Sequence, residues 1–448
     1  MSKMRLRMAK IGILVFTEKI KERATNKDSA FDSIKHFGFR KIISEIDKAH
    51  EVVHISAKDI NTCDYVLVSI VSYYDAFNFL NETKKMDVKA RVIIGGAGFT
   101  NPIPFRHKIW AACWGRGEGL INDIIAGVDL PNVWYKDKDP GLEGHYEIGQ
   151  LREFIDIDSM QDQDTPTHLK GAKEVHLGCR KKCYFCQYTW KNVLATDSKT
   201  IGYKSGLNDC ENTIAETDWS LNNSYFLTAI DGETERARRT VNRANITNGA
   251  IEQTLHRYFE TSNQLKTTLK LYCVAGYPFE QPQDLDLEEL VGVIRKAENE
   301  VANPKGRKLN IFLQSTHFVP MPFTPMEGEP VNFIDARAIL KKKMHRFRGQ
   351  NITLTVMPYI TSNISAAEQA ILNRSTFEDD RVWKILLSKK YLNLPNYEKI
   401  EVIKQLIPER LYGRVFGPIH SFIGNPYKIE LVKNAYYANL KKFYGIEV

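Results

Sequence analysis

The sequence of 448 residues predicts an α/β protein with two parallel sheets followed by a helical C-terminal region. Short runs rich in β-branched residues alternate with segments of helical pattern, and this alternation is typical of parallel sheets. Beyond about residue 335 the pattern is mostly helical and the residues are largely basic. We therefore expect about three domains, which is also what the length predicts.

The first domain is predicted over residues 1–130 as a Rossmann-like parallel sheet. Its last strand enters the glycine-rich GGAGFTNP at 95–102, and a second glycine-rich segment follows within 113–127. Glycines after a strand suit the close approach of a ligand or a plain tight turn, and both interpretations stay open. The strand-like runs are residues 11–17, 51–55, 64–70 and 91–94.

The next segments are predicted as a linker over 131–170, which is polar and turn-rich, and a second α/β domain over 171–335. The rest of the chain, 336–448, is predicted as a mostly helical and basic region. The strand-like runs of the second domain are KEVHLG at 173–178 and residues 224–230, 269–276 and 309–320.

Composition favours a protein of a reducing compartment, which we expect to be the cytoplasm. The longest apolar stretches fall well short of the roughly 18 residues of a membrane span, and no cleavage-site pattern follows them, so we expect no membrane contact. The formal charge of +8, from 62 basic and 54 acidic residues, favours a polyanionic partner only weakly. Three of the seven cysteines are clustered, which argues against a disulfide framework.

The clustered cysteines are Cys179, Cys183 and Cys186, within GCRKKCYFCQYTW. Thiolates at this spacing select zinc or an iron–sulfur cluster. His176 would complete a four-ligand zinc site. Three cysteines alone would instead hold a 4Fe–4S cluster with one iron open to a small molecule. The residues themselves leave both alternatives open.

The pattern C-x3-C-x2-C, with Phe185 before its last cysteine, resembles the signature of radical S-adenosylmethionine (radical SAM) enzymes. Other segments are similar to the branch of that family with an N-terminal cobalamin-binding-type domain. They are TAIDGETERARRTVNR at 228–243, KLYCVAGYPFEQPQDL at 270–285, FVPMPFTPMEGEP at 318–330 and residues 362–381, together with the two glycine-rich segments. The resemblance covers most of residues 10–385. It implies that residues 171–335 form a partial β/α barrel, shortened because only about 38 residues separate Cys186 from the strand at 224.

The resemblance also implies the cofactors. The three cysteines would hold a 4Fe–4S cluster, and S-adenosylmethionine would chelate its open iron. One electron from a flavodoxin-type or ferredoxin-type reductant would cleave S-adenosylmethionine to methionine and a 5′-deoxyadenosyl radical. Acidic side chains would meet the cofactor's ammonium, arginines would meet its carboxylate, and a turn would place backbone near its adenine. The residues expected in these roles are, in order, Asp231 or Glu233, Arg236 or Arg238, and Gly276 with Pro278.

Cobalamin is less expected than the other cofactors. Cobalamin proteins of this fold often supply a histidine from a D-x-H-x-x-G loop after the first strand, whereas the matching stretch here is FTEKIKERATNKDS at 16–29. Cobalamin can bind without that histidine, but we expect a degenerate domain used for packing or substrate binding.

The expected reaction is an isomerisation or rearrangement begun by hydrogen abstraction. The other cysteines are scattered, which argues against an auxiliary cluster. The substrate expected is a modified base or its side chain in DNA or RNA, because basic and aromatic residues mix at 341–349 and 434–445. One alternative is a cobalamin-dependent radical SAM methyltransferase of small-molecule biosynthesis. The other is a zinc-stabilised nucleic-acid-binding protein.

Overall fold

The computed structural model describes residues 8–16, 37–115, 117–144, 181–187, 214, 217–357, 362–406 and 426–447. Cys179, His176, Cys210, the predicted strand at 173–178 and most of the stretch at 16–29 lie outside these ranges. The chain divides into two compact units, the first formed by residues 1–177, 372–394 and 416–425, and the second by 178–371, 395–415 and 426–448. Within the described ranges no helix combines the length and apolar character that crossing a bilayer requires.

The first unit contains a six-stranded sheet among its described residues, in the order β2-β1-β3-β4-β5-β6. Neighbouring strands are parallel except for β5 and β6, which are antiparallel. The order reverses between β1 and β3, as in doubly wound sheets. The strands are β1 (Lys10–Leu14), β2 (Glu51–His54), β3 (Tyr65–Ser69), β4 (Arg91–Gly95), β5 (Ala111–Cys113) and β6 (Val133–Tyr135).

Apolar residues of β1, β3, β4 and β5 pack against α1 (Phe37–Ser44) and α3 (Ile121–Ile125) to form one core of this unit. Helix α2 (Tyr73–Thr83) begins with a capping box in which Ser72 and Asp75 satisfy each other's backbone N–H groups. The predicted boundary at residue 130 falls before β6. Residues 372–394, predicted within the helical C-terminal region, belong to this unit.

The second unit contains a five-stranded sheet in the order β10-β11-β9-β8-β7 among its described residues. Strands β7, β8, β9 and β11 are parallel, and β10 pairs antiparallel with β11 at the edge. The α/β class predicted from the sequence is confirmed. The strands are β7 (Tyr225–Ala229), β8 (Lys266–Ala275), β9 (Lys308–His317), β10 (Arg346–Arg348) and β11 (Ile352–Val356).

Helices cover one face of this sheet, where Leu269, Leu271, Ile311 and Leu313 are buried in the core. Residues 336–448, predicted as mostly helical, also contribute two strands, β10 and β11. The remaining helices are α4 (Glu235–Thr240), α5 (Asn248–Thr261), α6 (Glu288–Glu300), α7 (Ala336–Lys343), α8 (Asn363–Arg374), α9 (Asp380–Leu386), α10 (Lys389–Leu392), α11 (Asn396–Leu406) and α12 (Pro426–Tyr444).

Candidate active site

The described part of the cysteine motif is a tight turn that carries two of its three thiols. The backbone N–H of Cys186 donates to the carbonyl of Cys183 at 3.2 Å. Cys183 is buried and Cys186 is half-buried, and neither forms a disulfide. Two thiols within one turn fit the donor set of a cluster or a zinc site. The prediction that Cys179 joins them stays a prediction.

Backbone contacts fix the cysteine turn against two other loops of the second unit. The side-chain amide of Asn242 donates to the carbonyl of Lys182 at 2.8 Å. The N–H of Tyr184 donates to the carbonyl of Val241 at 3.2 Å, and the carbonyl of Tyr184 accepts from the N–H of Met326 at 3.3 Å. The loop that follows α4 and the proline-rich loop after β9 therefore both hold the cysteine turn.

Residues of the left-handed backbone region concentrate around this turn. Lys182, Asp231, Asn242 and Phe323 have φ between +53° and +68°, and Gly276 has φ +72°. Residues other than glycine adopt this backbone conformation at a cost of about 1–2 kcal/mol each. Such strain persists only where the surrounding structure imposes it, and it is common at functional sites. The concentration supports a functional role for these loops.

Asp231, which follows β7, is already paired. Its carboxylate accepts from Arg243 Nε at 2.6 Å, and both side chains are buried. The backbone carbonyl of Asp231 also accepts from the hydroxyl of Tyr277 at 2.8 Å. Asp231 therefore ties the loop after β7 to the turn after β8.

Glu233 is a buried acidic residue with one carboxylate oxygen that accepts no hydrogen bond from the described residues. It is 1% exposed, and its Oε1 atom has no hydrogen-bond partner among the described residues. Burial raises the pKa of its carboxyl to about 7, although Arg238 and a hydrogen bond from Cys273 lower it. A cationic group placed beside Oε1 would remove the cost of the buried negative charge.

Arg238 is fully buried and already uses its donors within the protein. Its Nε donates to the carbonyl of Ile246 at 2.7 Å, and its Nη1 donates to the carbonyls of Gly232 at 3.0 Å and Glu233 at 3.2 Å. The remaining nitrogen, Nη2, lies against Asn248 Oδ1. Arg238 thus fixes the backbone that carries Glu233.

Arg236 lies on the solvent side of α4. Its side chain is 44% exposed, it pairs with Asp284, and its guanidinium carbon lies 4.2 Å from the ring centroid of Tyr444. The prediction that one of the two arginines meets a cofactor carboxylate stays a prediction, and Arg236 is the one with accessible donors.

The turn after β8 contains both Gly276 and Pro278. The carboxylate of Glu280 accepts from the N–H groups of Gly276 at 2.8 Å and Tyr277 at 2.9 Å. The N–H of Glu280 donates to the carbonyl of Tyr277 at 3.0 Å and so closes the turn around Pro278. Burial and the nearby Glu233 raise the pKa of the Glu280 carboxyl well above its usual range.

His317, at the end of β9, was not predicted from the sequence. It is 1% exposed. Its Nε2 lies 2.6 Å from the carbonyl oxygen of Asn332, and Asn332 in turn donates to the carbonyls of Tyr277 and Glu280. Burial lowers the pKa of His317 to about 4, so the ring is neutral and Nε2 carries the proton. The available signal was a histidine where a parallel strand ends, at the edge where α/β proteins bind ligands.

The glycine-rich loop of the first unit packs closely against the chain's own backbone. A side chain at Gly96 would meet the carbonyl oxygen of Ile70 at 2.4 Å, and one at Gly98 would meet that of Val71 at 2.4 Å. The chain's own backbone thus fills the space beside these glycines. The close approach of two backbone segments therefore accounts for Gly96 and Gly98, as the tight-turn interpretation of GGAGFTNP predicts, whereas the ligand interpretation stays a prediction.

A second group of metal-ligand type lies between α5 and α6, where Glu252, His256 and Glu300 have ligand atoms within 4.8 Å of one another. The amine of Lys296 lies 2.9 Å from Glu252 Oε1 and already supplies a positive charge there. Lys296 thus forms ion pairs with both carboxylates of this group.

No family model matches the sequence, and no curated protein matches it. The solved structures that match the chain include two radical S-adenosylmethionine enzymes, both with low sequence identity and a low TM-score. One is the apo form of OxsB, a cobalamin-dependent S-adenosylmethionine radical enzyme, with 11% identity, 94% of this chain covered and a TM-score of 0.27. The chain spans 58% of the length of OxsB.

The other is TsrM from Kitasatospora setae, a radical S-adenosylmethionine methyltransferase with cobalamin and a 4Fe–4S cluster bound. It has 14% identity and a TM-score of 0.28, and the match covers 97% of this chain and 91% of TsrM. These two TM-scores are too low to support a statement about the function of this chain. The functional assignment therefore rests on the residues of this chain.

Proposed function

We propose that this chain is a radical SAM enzyme, which cleaves S-adenosylmethionine reductively and uses the resulting radical to abstract hydrogen from a substrate. The observation that carries the proposal is the position of the cysteine turn. It contacts the loops that follow α4 and β9, and the ring of Phe185 lies 5.9 Å from that of Tyr277 in the turn after β8. The turn after β8 and the loop after β9 lie at the carboxyl ends of parallel strands, where α/β proteins place ligand sites.

A 4Fe–4S cluster bound by the three cysteines would supply the electron that breaks the sulfonium bond. The chain's own residues would bind and orient S-adenosylmethionine. Glu233 offers an unpaired buried carboxylate oxygen to the cofactor's ammonium, and Arg238 positions Glu233 through two backbone carbonyls. Gly276 and Pro278 present backbone for the adenine, and Arg236 offers exposed donors for the carboxylate.

For the reaction that follows, we propose isomerisation or rearrangement of the substrate, supported by the absence of the D-x-H-x-x-G histidine at 16–29 and of a second cysteine cluster. The second candidate is cobalamin-dependent methyl transfer. It is favoured by the strand order of the first sheet, which reverses between β1 and β3, because doubly wound sheets bind ligands at such a switch point. Methylated product formed only with added cobalamin would select the second candidate.

A nucleic-acid substrate is supported by exposed basic residues on α7 and the edge strand β10. Lys341, Lys342, Arg346 and Arg348 are exposed. Lys343 differs from them, because its amine donates to the carbonyl of Leu285 at 2.7 Å and so stabilises the fold.

If DNA or RNA binds this surface, affinity should fall steeply between about 50 and 200 mM salt because neutralised phosphates release counterions. Charge reversal at Lys341 and Lys342 should flatten that dependence. A salt-independent affinity would favour a small-molecule substrate.

The proposal is tested by anaerobic purification and reconstitution with iron and sulfide. The expected protein is brown, contains about four irons and, with a flavodoxin-type reductant or dithionite, forms 5′-deoxyadenosine from S-adenosylmethionine. A colourless protein with stoichiometric zinc and no cleavage would contradict the proposal and support the zinc-stabilised nucleic-acid-binding alternative.

A further inference from the structure

The face of the second sheet opposite its helices carries polar and aromatic side chains. Along β8 and β9 burial alternates, so that odd-numbered residues are buried and even-numbered ones are half-exposed between the strand ends. Parallel sheets usually have both faces covered. We define the inner face by Lys270, Tyr272 and Val274 on β8 and their register partners Phe312, Gln314 and Thr316 on β9.

Lys270 is a half-buried cation in the middle of this face. Its register partners are Phe312 on β9 and Leu227 on β7, both apolar. Its amine lies 5.0 Å from the ring centroid of Tyr272, and no carboxylate of the described residues forms an ion pair with it. Lys270 therefore lacks an anionic partner within the described chain. An ammonium beside a ring face keeps free N–H donors, which can pair with an anion from outside the described chain.

Gln314 supplies a second unused polar group on the same face. Its Oε1 atom is buried and has no hydrogen-bond partner among the described residues. Buried acceptors are almost always paired in folded proteins. Because Gln314 is the register partner of Tyr272, this acceptor lies one strand from the ring that contacts Lys270.

The inner face also leads towards the cysteine turn. Val274 and Phe185 both pack against the hydrophobic cluster that contains Tyr184 and Tyr277. Lys270 lies four residues earlier on β8, at a distance of about 13 Å along the strand. A substrate held at Lys270 would need roughly that length to bring a carbon atom near the turn.

We propose that the inner face binds the reacting part of the substrate, a planar group that carries a carboxylate or phosphate. Lys270 pairs with its carboxylate or phosphate oxygens, the rings of Tyr272 and Phe312 contact the planar group, and Gln314 Oε1 accepts a hydrogen bond from it. The role of this molecule as substrate rests on the proposed function, whereas its binding does not.

Binding can be measured on the reconstituted protein by ligand-observed NMR titration with benzoate, phenyl phosphate and neutral benzamide. The variants are Lys270→Met, which keeps the aliphatic chain without the charge, and Lys266→Met, its matched control at the exposed start of β8. We expect at least one anionic probe to bind the wild type about 10-fold or more tightly than benzamide, and Lys270→Met to remove that preference. Lys266→Met should keep it.

The proposal is overturned if no anionic probe binds the wild type, if benzamide binds equally well, or if Lys270→Met binds the anions like the wild type. The preferred anion distinguishes a carboxylate substrate from a phosphate ester. Formation of 5′-deoxyadenosine is measured on the wild type and on Lys266→Met from the same preparations, where it reports the proposed function separately from the binding of the probes. Loss of cleavage in every sample would contradict the proposed function and leave the binding result intact.

Discussion

Replacing Gly276 by alanine tests whether the turn after β8 requires a glycine both for its backbone conformation and for its contact with His317. Gly276 has φ +72°, and a Cβ atom there would lie 2.3 Å from Cε1 and 2.6 Å from Nδ1 of the His317 ring. The ring is buried and held through Asn332, so it has little freedom to withdraw. The left-handed conformation costs alanine about 1–2 kcal/mol, and the added atom costs about 1–3 kcal/mol more through overpacking.

Two other glycines separate these contributions. Gly306 has φ +62° with nothing within 4 Å, so Gly306→Ala should show the conformational cost alone. Gly292 lies inside α6 with nothing within 4 Å, so Gly292→Ala should stabilise by about 0.5–1 kcal/mol.

The free energies of unfolding from urea titrations followed by circular dichroism give the comparison. We expect Gly276→Ala to lose about 1–3 kcal/mol more than Gly306→Ala. Equal losses would refute the claim that His317 fills the space beside the turn.

Three further predictions concern the site and the first unit. Burial raises the pKa of Glu233 from 4.5 to about 7, so between these pH values the unfolded chain binds fewer protons than the folded protein does. The protein's free energy of unfolding should therefore fall as pH rises from 4.5 to 7, by up to about 1.4 kcal/mol per pH unit. Glu233→Gln should reduce that slope in urea titrations at several pH values, and an unchanged slope would contradict the assignment. His317→Gln keeps an N–H donor long enough to reach towards the carbonyl of Asn332, whereas the side chain of His317→Asn is too short. Only the asparagine variant should therefore lose about 1–3 kcal/mol of unfolding free energy. Equal losses in the two variants would argue against the Nε2 contact. Reconstitution with hydroxocobalamin should leave turnover unchanged, and a cobalamin-dependent methyl transfer to product would show the opposite.

The strands could be predicted from the sequence because their apolar runs are short, buried and bounded by turns. The runs at 64–70 and 91–94 correspond to β3 (Tyr65–Ser69) and β4 (Arg91–Gly95). The assignment of residues 372–394 to the first unit could not be predicted. It depends on contacts distant in sequence, such as the bonds from Asn101 Nδ2 to the carbonyls of Leu372 and Ser375.

The sequence predicts candidate site residues by their type, and their roles stay predictions. Charge and spacing alone do not distinguish Arg238 from Arg236. The structure separates them, because Arg238 lies on the buried side of α4 and Arg236 on the exposed side. His317 was not predicted because its sequence position does not reveal that the turn with Gly276 lies against its ring. That contact is visible only in the folded structure.

We propose that the cysteine motif holds a cluster that enables cleavage of S-adenosylmethionine, and this claim can be tested by comparing two cysteine variants. Cys183→Ala removes a thiol of the motif, whereas Cys273→Ala removes a buried thiol on β8 that the claim does not assign to the cluster. Iron content and 5′-deoxyadenosine formation would be measured anaerobically on both after reduction with dithionite. We expect loss of both in Cys183→Ala and retention of iron and cleavage in Cys273→Ala. Full iron content and cleavage in Cys183→Ala would show that the motif does not hold the cluster.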